Sequence, residues 1–199
     1  MSEDEWLRST DPTRMLEFLR GKVSDRKLRL FAVASCHRVR HLMNKDEERN
    51  ELDVVERYAD GLAAESERKL VHGWNRLVSV SNAASPSALD AAHFGAASAL
   101  SFIDDSTAKA IEQESQARLL RCIFGNPFHP VTLEPSLLSD SVAKIAKAIY
   151  DERAFDRMPI LADALEESGM ADGEVIAHLR GPGPHCRGCF ALDAVLSYE

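Results

Sequence analysis

The chain has 199 residues, 45% of them hydrophobic and 28% charged, with a formal net charge of −8. That length can bury a substantial core, while the negative charge argues against a general nucleic-acid binder, which needs a basic footprint to displace counterions. No apolar run approaches the roughly 20 residues that cross a bilayer, and the four cysteines (Cys36, Cys122, Cys186, Cys189) are too sparse for a disulfide scaffold.

The acidic start Met1-Ser2-Glu3-Asp4-Glu5 carries no targeting leader. These features point to a reduced, cytoplasmic protein whose partner is another protein rather than nucleic acid or membrane. Asp11-Pro12 then reads as a helix cap followed by proline at the first helical position. Met15, Leu16, Phe18 and Leu19 supply its apolar side, and Gly21 ends the turn. Ser24 or Asp25 caps a second helix with an inward stripe of Leu28, Phe31, Ala32, Val39, Leu42 and Met43. Arg26, Arg29, Arg38 and Arg40 flank that stripe, and the acidic helix that follows offers them an intramolecular charge match. That helix, Asp46 to Asp60, has a narrow stripe of Leu52, Val55 and Ala59.

Leu70, Trp74, Leu77 and Val78 mark a further amphipathic helix. Ser85-Pro86 repeats the cap-then-proline signal. The following helix carries Ala91, Gly95 and Ala99 on one ridge, where small residues let two helices approach closely. Asp104 or Asp105 caps a helix with Ile111, Leu119 and Cys122 inward. The pattern breaks at Phe124-Gly125-Asn126-Pro127-Phe128-His129-Pro130, because proline and glycine cannot continue a helix. Phe124 and Phe128 are expected to be buried there.

Asp140 caps the stripe Val142, Ile145, Ala146 and Ile149. Met158-Pro159 opens another helix with Leu161 and Leu165 inward, and Asp172 caps a short one through Leu179. A last helix carries Phe190, Leu192 and Val195. No stretch alternates apolar and polar residues between turn signals. The chain therefore reads as all-α, a compact multi-helix bundle of about nine or ten short helices. Its break divides an N-terminal helical part, residues 1–123, from a C-terminal part, residues 124–199, with the two expected to pack as one unit.

Several strings look like parts of a known pattern: Asp11-Pro12-Thr13-Arg14-Met15-Leu16-Glu17-Phe18-Leu19-Arg20-Gly21, Asp25-Arg26-Lys27-Leu28-Arg29-Leu30-Phe31-Ala32, Ile123-Phe124-Gly125-Asn126-Pro127-Phe128, Tyr150-Asp151-Glu152-Arg153-Ala154-Phe155-Asp156-Arg157 and the turn opened by Gly181-Pro182-Gly183-Pro184-His185. Together they span nearly the whole chain, which resembles a family of helical proteins without assigned activity from planctomycete-type bacteria. Leu161-Ala162-Asp163-Ala164-Leu165-Glu166-Glu167-Ser168-Gly169 is also similar to a short leucine-and-acid repeat-companion motif of such genomes. The resemblance implies a helical fold and a modular, interaction-type role.

Chemistry concentrates in Gly181-Pro182-Gly183-Pro184-His185-Cys186-Arg187-Gly188-Cys189. His185, Cys186 and Cys189 are donors that zinc accepts, and a tetrahedral site needs four. His37 and His41, one helical turn apart, are the best partners elsewhere, so the candidate metal ligands are His37, His41, His185, Cys186 and Cys189. The same turn also has a purely structural reading: prolines and glycines turn the chain so that Phe190, Leu192 and Val195 can dock. A thiol-exchange role for Cys186 and Cys189 lacks the βαβ context that accompanies such motifs. There is no Gly-x-Ser-x-Gly elbow, no phosphate-binding glycine loop, and no glutamate between His37 and His41. No catalytic set is legible. The reading is a soluble all-helical interaction or regulatory module. The alternative is a zinc-binding or thiol-dependent enzyme centred on His185, Cys186 and Cys189.

Overall fold

The computed structural model describes residues 1–42, 46–72, 78–134, 138–170 and 172–198. Among these it is all-α, with twelve α-helices, short 3-10 turns and no strand. None of the described helices is long and apolar enough to cross a membrane. The chain divides into two compact units, Met1–Leu120 and Arg121–Glu199. Met43, Trp74 and Leu77, three of the residues placed in apolar stripes, lie outside the described residues.

The first unit begins with a helix that the acidic start conceals. In α1 (Glu3–Arg8) the Ser2 hydroxyl accepts from the Glu5 amide and the Glu5 carboxylate accepts from the Ser2 amide, a reciprocal cap. It buries Trp6 beside Phe18 of α2 (Pro12–Leu19). Central to this unit is α3 (Asp25–Arg38), whose residues from Leu28 through Cys36 are all buried. A helix buried on every face needs neighbours on several sides, and α4 (Asp46–Ala59), α6 (Val78–Ala83) and α7 (Ala88–Ser101) supply them.

The small-residue ridge acts as a packing seam. A Cβ on Gly95 would lie 3.1 Å from the Ala32 Cβ, so α7 meets α3 almost backbone to backbone. Other details differ from the sequence expectation. Ser87, rather than Ser85, caps α7, its hydroxyl accepting from the Asp90 amide at 3.2 Å, while the Ser85 and Pro86 carbonyls accept from the buried Arg29 guanidinium at 2.7 and 2.6 Å. The stripe through Leu70 is not one helix: α5 (Glu65–Val71) ends with His72 as its cap, α6 begins at Val78, and Leu70 is exposed. Ile111 of α8 (Ser106–Phe124) is also exposed, while Glu112 and Gln116 face inward. Buried Glu112 earns that place by a two-oxygen pairing with Arg38 at 2.9 Å.

The basic flanks of α3 are taken up within the unit. Arg26 pairs with Asp60 at 3.0 Å and Arg40 with Asp53 at 3.6 Å, which is the charge match to the acidic helix region. Arg38 and Arg29 go elsewhere, to Glu112 and to the carbonyls after α6.

In the second unit α9 (Asp140–Glu152), α10 (Met158–Glu167), α11 (Gly173–Arg180) and α12 (Phe190–Leu196) enclose a core of Val142, Ile149, Leu161, Leu165, Leu179 and Leu192. Ser139, one residue before Asp140, caps α9. Asp172 caps α11 as the sequence indicates. The expectation for the two phenylalanines needs correction: Phe128 is 38% exposed and Phe124 half-buried. Gly125 and Asn126 are the buried residues of that turn. Gly125 has φ +61, and a Cβ there would sit 3.0 Å from the Phe190 ring, so the turn is pinned by backbone contact with an aromatic face.

Candidate metal centre

Four donors from separate stretches of the C-terminal unit converge. Cys122 lies in the last turn of α8, His178 in the last turn of α11, His185 in the proline-rich turn, and Cys189 at the N-cap of α12. One ligand atom from each lies within 4.8 Å of every other. Both sulfurs are buried and both imidazoles half-buried. Donors on a tetrahedral zinc stand about 3.3–3.8 Å apart, given Zn–S near 2.3 Å and Zn–N near 2.0–2.1 Å. The cluster can therefore hold a metal with small adjustments.

Local sequence explains the placement. α11 stops at Gly181, whose amide donates to the His178 carbonyl at 3.1 Å. Gly183 takes φ +80, and a Cβ there would meet the His185 amide nitrogen at 2.8 Å, so the chain can fold His185 back only without a side chain at 183. The His185 ring then stacks edge-on against His178, with centroids 4.9 Å apart, and the Phe190 ring also lies against His178, at 4.5 Å. The Cys189 amide donates to the Cys186 carbonyl at 3.1 Å, closing the turn that starts α12.

The hydrogen bonds determine which imidazole atoms are available. His185 Nε2 lies 3.1 Å from the Gly181 carbonyl, which can only accept, so Nε2 carries the hydrogen and Nδ1 the lone pair. Nδ1 is buried and has no hydrogen-bond partner. A buried polar atom left unpaired costs on the order of 1–3 kcal/mol, and a backbone carbonyl on the opposite nitrogen is the usual second support of a metal-binding histidine. His178 Nε2 lies 3.2 Å from the Cys189 sulfur.

The sulfurs are held as thiols when no cation is present. Burial pushes Cys189 up to about 12, helped by its contact with Cys122. Cys122 is raised well above the ordinary thiol range by its contact with Cys186, with burial adding to it. Burial lowers the His185 pKa, but Cys189 and the Gly181 carbonyl outweigh it and leave the imidazole raised. A divalent cation among these atoms reverses the balance at sulfur, because it binds the thiolate directly.

Of the residues singled out from sequence, His185 and Cys189 belong to this group of four. Cys186 does not, although it packs against the same core. His37 sits instead with Asp53 and Glu56 in the N-terminal unit, their ligand atoms also within 4.8 Å of one another. His41 is exposed and in neither group. Cys122 and His178 join the cluster although the sequence does not single them out as donors. Cys122 reads as a core residue of a helical stripe, and only folding brings it to the turn. His178 did have a signal: it ends a helix eleven residues before Cys189. A search for paired Cys-x-x-Cys motifs passes over it.

The carboxylates Asp151 and Glu152 are salt-bridged, to Lys147 at 2.5 Å and to Arg157 at 3.0 Å. Compared with protein-family models, curated proteins and solved structures, the chain matches none.

Proposed function

We propose that this chain is a helical interaction or regulatory module whose C-terminal unit is organised by a structural zinc ion on Cys122, His178, His185 and Cys189. The observation that carries this reading is the His185 imidazole, with Nε2 occupied by the Gly181 carbonyl and Nδ1 buried and unpartnered beside two sulfurs and a second imidazole. Two thiolates and two imidazoles suit zinc. Four protein donors close the coordination sphere, whereas catalytic zinc keeps a position open for water or substrate. The ion therefore serves the fold: it ties the end of α8, the end of α11 and the start of α12 to one point. A thiol-dependent enzyme is less well supported, since burial holds Cys189 as a thiol rather than the nucleophilic thiolate.

Metal analysis of the full chain purified without added metal tests this. The reading predicts about one zinc per chain, lost in Cys122→Ala and His178→Ala and retained in Cys186→Ser and His41→Ala. Metal-free protein, or zinc that depends on His37 and His41, would overturn it.

A further inference from the structure

The two imidazoles of the cluster are held in different ways. His185 is oriented by a hydrogen bond, Nε2 to the Gly181 carbonyl at 3.1 Å, the usual support of a metal-binding histidine. His178 has no equivalent. Among the described residues its ring makes one hydrogen-bond contact, Nε2 with the Cys189 sulfur at 3.2 Å, and that sulfur is itself a donor of the cluster. The other neighbours that orient it are rings, His185 at 4.9 Å and Phe190 at 4.5 Å between centroids.

Phe190 touches more than His178. It is buried and opens α12 directly after Cys189. A Cβ on Gly125 would come within 3.0 Å of its ring, so only a glycine admits the ring that close to the chain after α8. Gly125 directly follows the helix turn that carries Cys122, and its amide donates to the Arg121 carbonyl at 2.9 Å. One aromatic side chain therefore sits beside Cys189 in sequence, against His178 at the end of α11, and against the backbone just beyond Cys122.

We propose that Phe190 is the positioning residue of the metal centre. It offers the ion no electron pair. Packing against the His178 imidazole sets the plane of that ring, as the Gly181 carbonyl does for His185. Contact with Gly125 fixes the end of α8 relative to the end of α11. This rests on the zinc reading above. A side chain at 190 without a flat ring leaves all four donors in the chain but lets His178 turn about its side-chain bonds. Donors have to be held to within about 0.5 Å of the productive geometry for full affinity, so the loss appears in metal binding before it appears in the fold.

The test compares the full-length chain with Phe190→Leu and with Val142→Ala. The second variant trims a buried side chain of the same core on α9, a helix that carries none of the four donors. Zinc affinity is read by chelator competition, the thermal midpoint by calorimetry, and the donor geometry by the visible ligand-field bands of cobalt(II) bound in place of zinc. Phe190→Leu should bind zinc roughly 10–100-fold more weakly, the range for partners that orient a ligand, with weakened and shifted cobalt bands. Val142→Ala should lower the midpoint yet keep the wild-type cobalt bands and a zinc affinity within about threefold of wild type. Affinity that falls in proportion to the midpoint in both variants makes Phe190 ordinary core packing and overturns the proposal, as does wild-type affinity in Phe190→Leu. Should Phe190→Leu not fold, Phe190→Met, which keeps apolar volume without the flat ring, is judged by the same criteria. Nuclear magnetic resonance of the metal-free chain separates the two inferences. A wild type that binds no zinc overturns the zinc reading. In that same protein, His178 ring signals that leave their wild-type positions for those of a free histidine in Phe190→Leu uphold the positioning role, and unchanged signals overturn it.

Discussion

His37 and His185 are both half-buried histidines, and each stands among metal-type donors, yet their neighbours are already used differently. Around His37 the acids have neighbours of their own: Asp53 pairs with Arg40 at 3.6 Å, and Glu56 lies 3.9 Å from the His37 ring. Around His185 there is no opposing charge of that kind. Its cluster holds two thiols, a second imidazole and a ring nitrogen with no partner. Proximity of donors alone does not make a metal site. A buried ring nitrogen is common to both clusters, so what separates them is donor type: the carboxylates of the first set have Arg40 and the His37 ring beside them, whereas two thiols and two imidazoles are the set that zinc accepts.

The strongest way to break this comparison is to remove the ion. Structural zinc contributes apparent binding energies on the order of 10 kcal/mol. Treating the full chain with a strong chelator should therefore abolish amide hydrogen-exchange protection in α9 to α12, while protection in α3 and α7 persists. Equal loss in both units, or none in either, would erase the distinction drawn here.

Single ligands come next. Cys122→Ala and His178→Ala should each lower stability by about 3–5 kcal/mol in urea titrations, as expected when a metal ligand is lost from a core. His37→Ala should cost about 1–2 kcal/mol, less than loss of either cluster ligand, and leave zinc content unchanged, because it only strips buried Glu56 of a neighbour 3.9 Å away.

Glycine substitutions sharpen the contrast. Gly183→Ala should cost about 1–3 kcal/mol through strain at positive φ and weaken zinc binding together, since it displaces His185. Gly95→Leu in α7 should cost a similar amount, about 1–3 kcal/mol, by overpacking against Ala32, with zinc binding unaffected. Calorimetric melting and zinc competition titrations read the two effects apart.

The smallest effect concerns the thiols. Burial raises the Cys36 thiol from 9.0 to about 12 in the folded chain. A raised folded value favours the protonated form, so its contribution is full below about pH 9 and is lost as pH rises toward 12. The loss should reach about 1 kcal/mol by pH 10. Comparing denaturant midpoints at pH 8 and pH 10 should show this slope in the wild type and a shallower one in Cys36→Ala. Under the proposed zinc reading, Cys122 and Cys189 should show the opposite dependence, because acid competes with the metal for their thiolates.

Helix content was legible because local signals suffice for it: Asp11, Ser24 and Asp172 cap where a polar side chain can reach free amides, and proline and glycine mark the stops. Errors arose where tertiary partners decide. Leu70 and Ile111 fit apolar stripes but face outward, and the Ser85 carbonyl serves Arg29 while Ser87 caps the helix. Half of the candidate cluster was visible for the same reason. His185 and Cys189 share a turn with a recognisable composition, whereas Cys122 reaches them only when α8 packs into the C-terminal core. His178 lay within reach of a sequence argument, since a histidine in the last turn of α11 precedes the turn directly.

The central claim is that one metal ion binds two particular sulfurs and two particular nitrogens. X-ray absorption at the zinc edge of the purified full chain tests it most directly. The account predicts a first shell of two sulfurs near 2.3 Å and two nitrogens near 2.0–2.1 Å, unchanged in Cys186→Ser. A shell with three sulfurs, a shell dominated by oxygen, or protein that binds no zinc would contradict it.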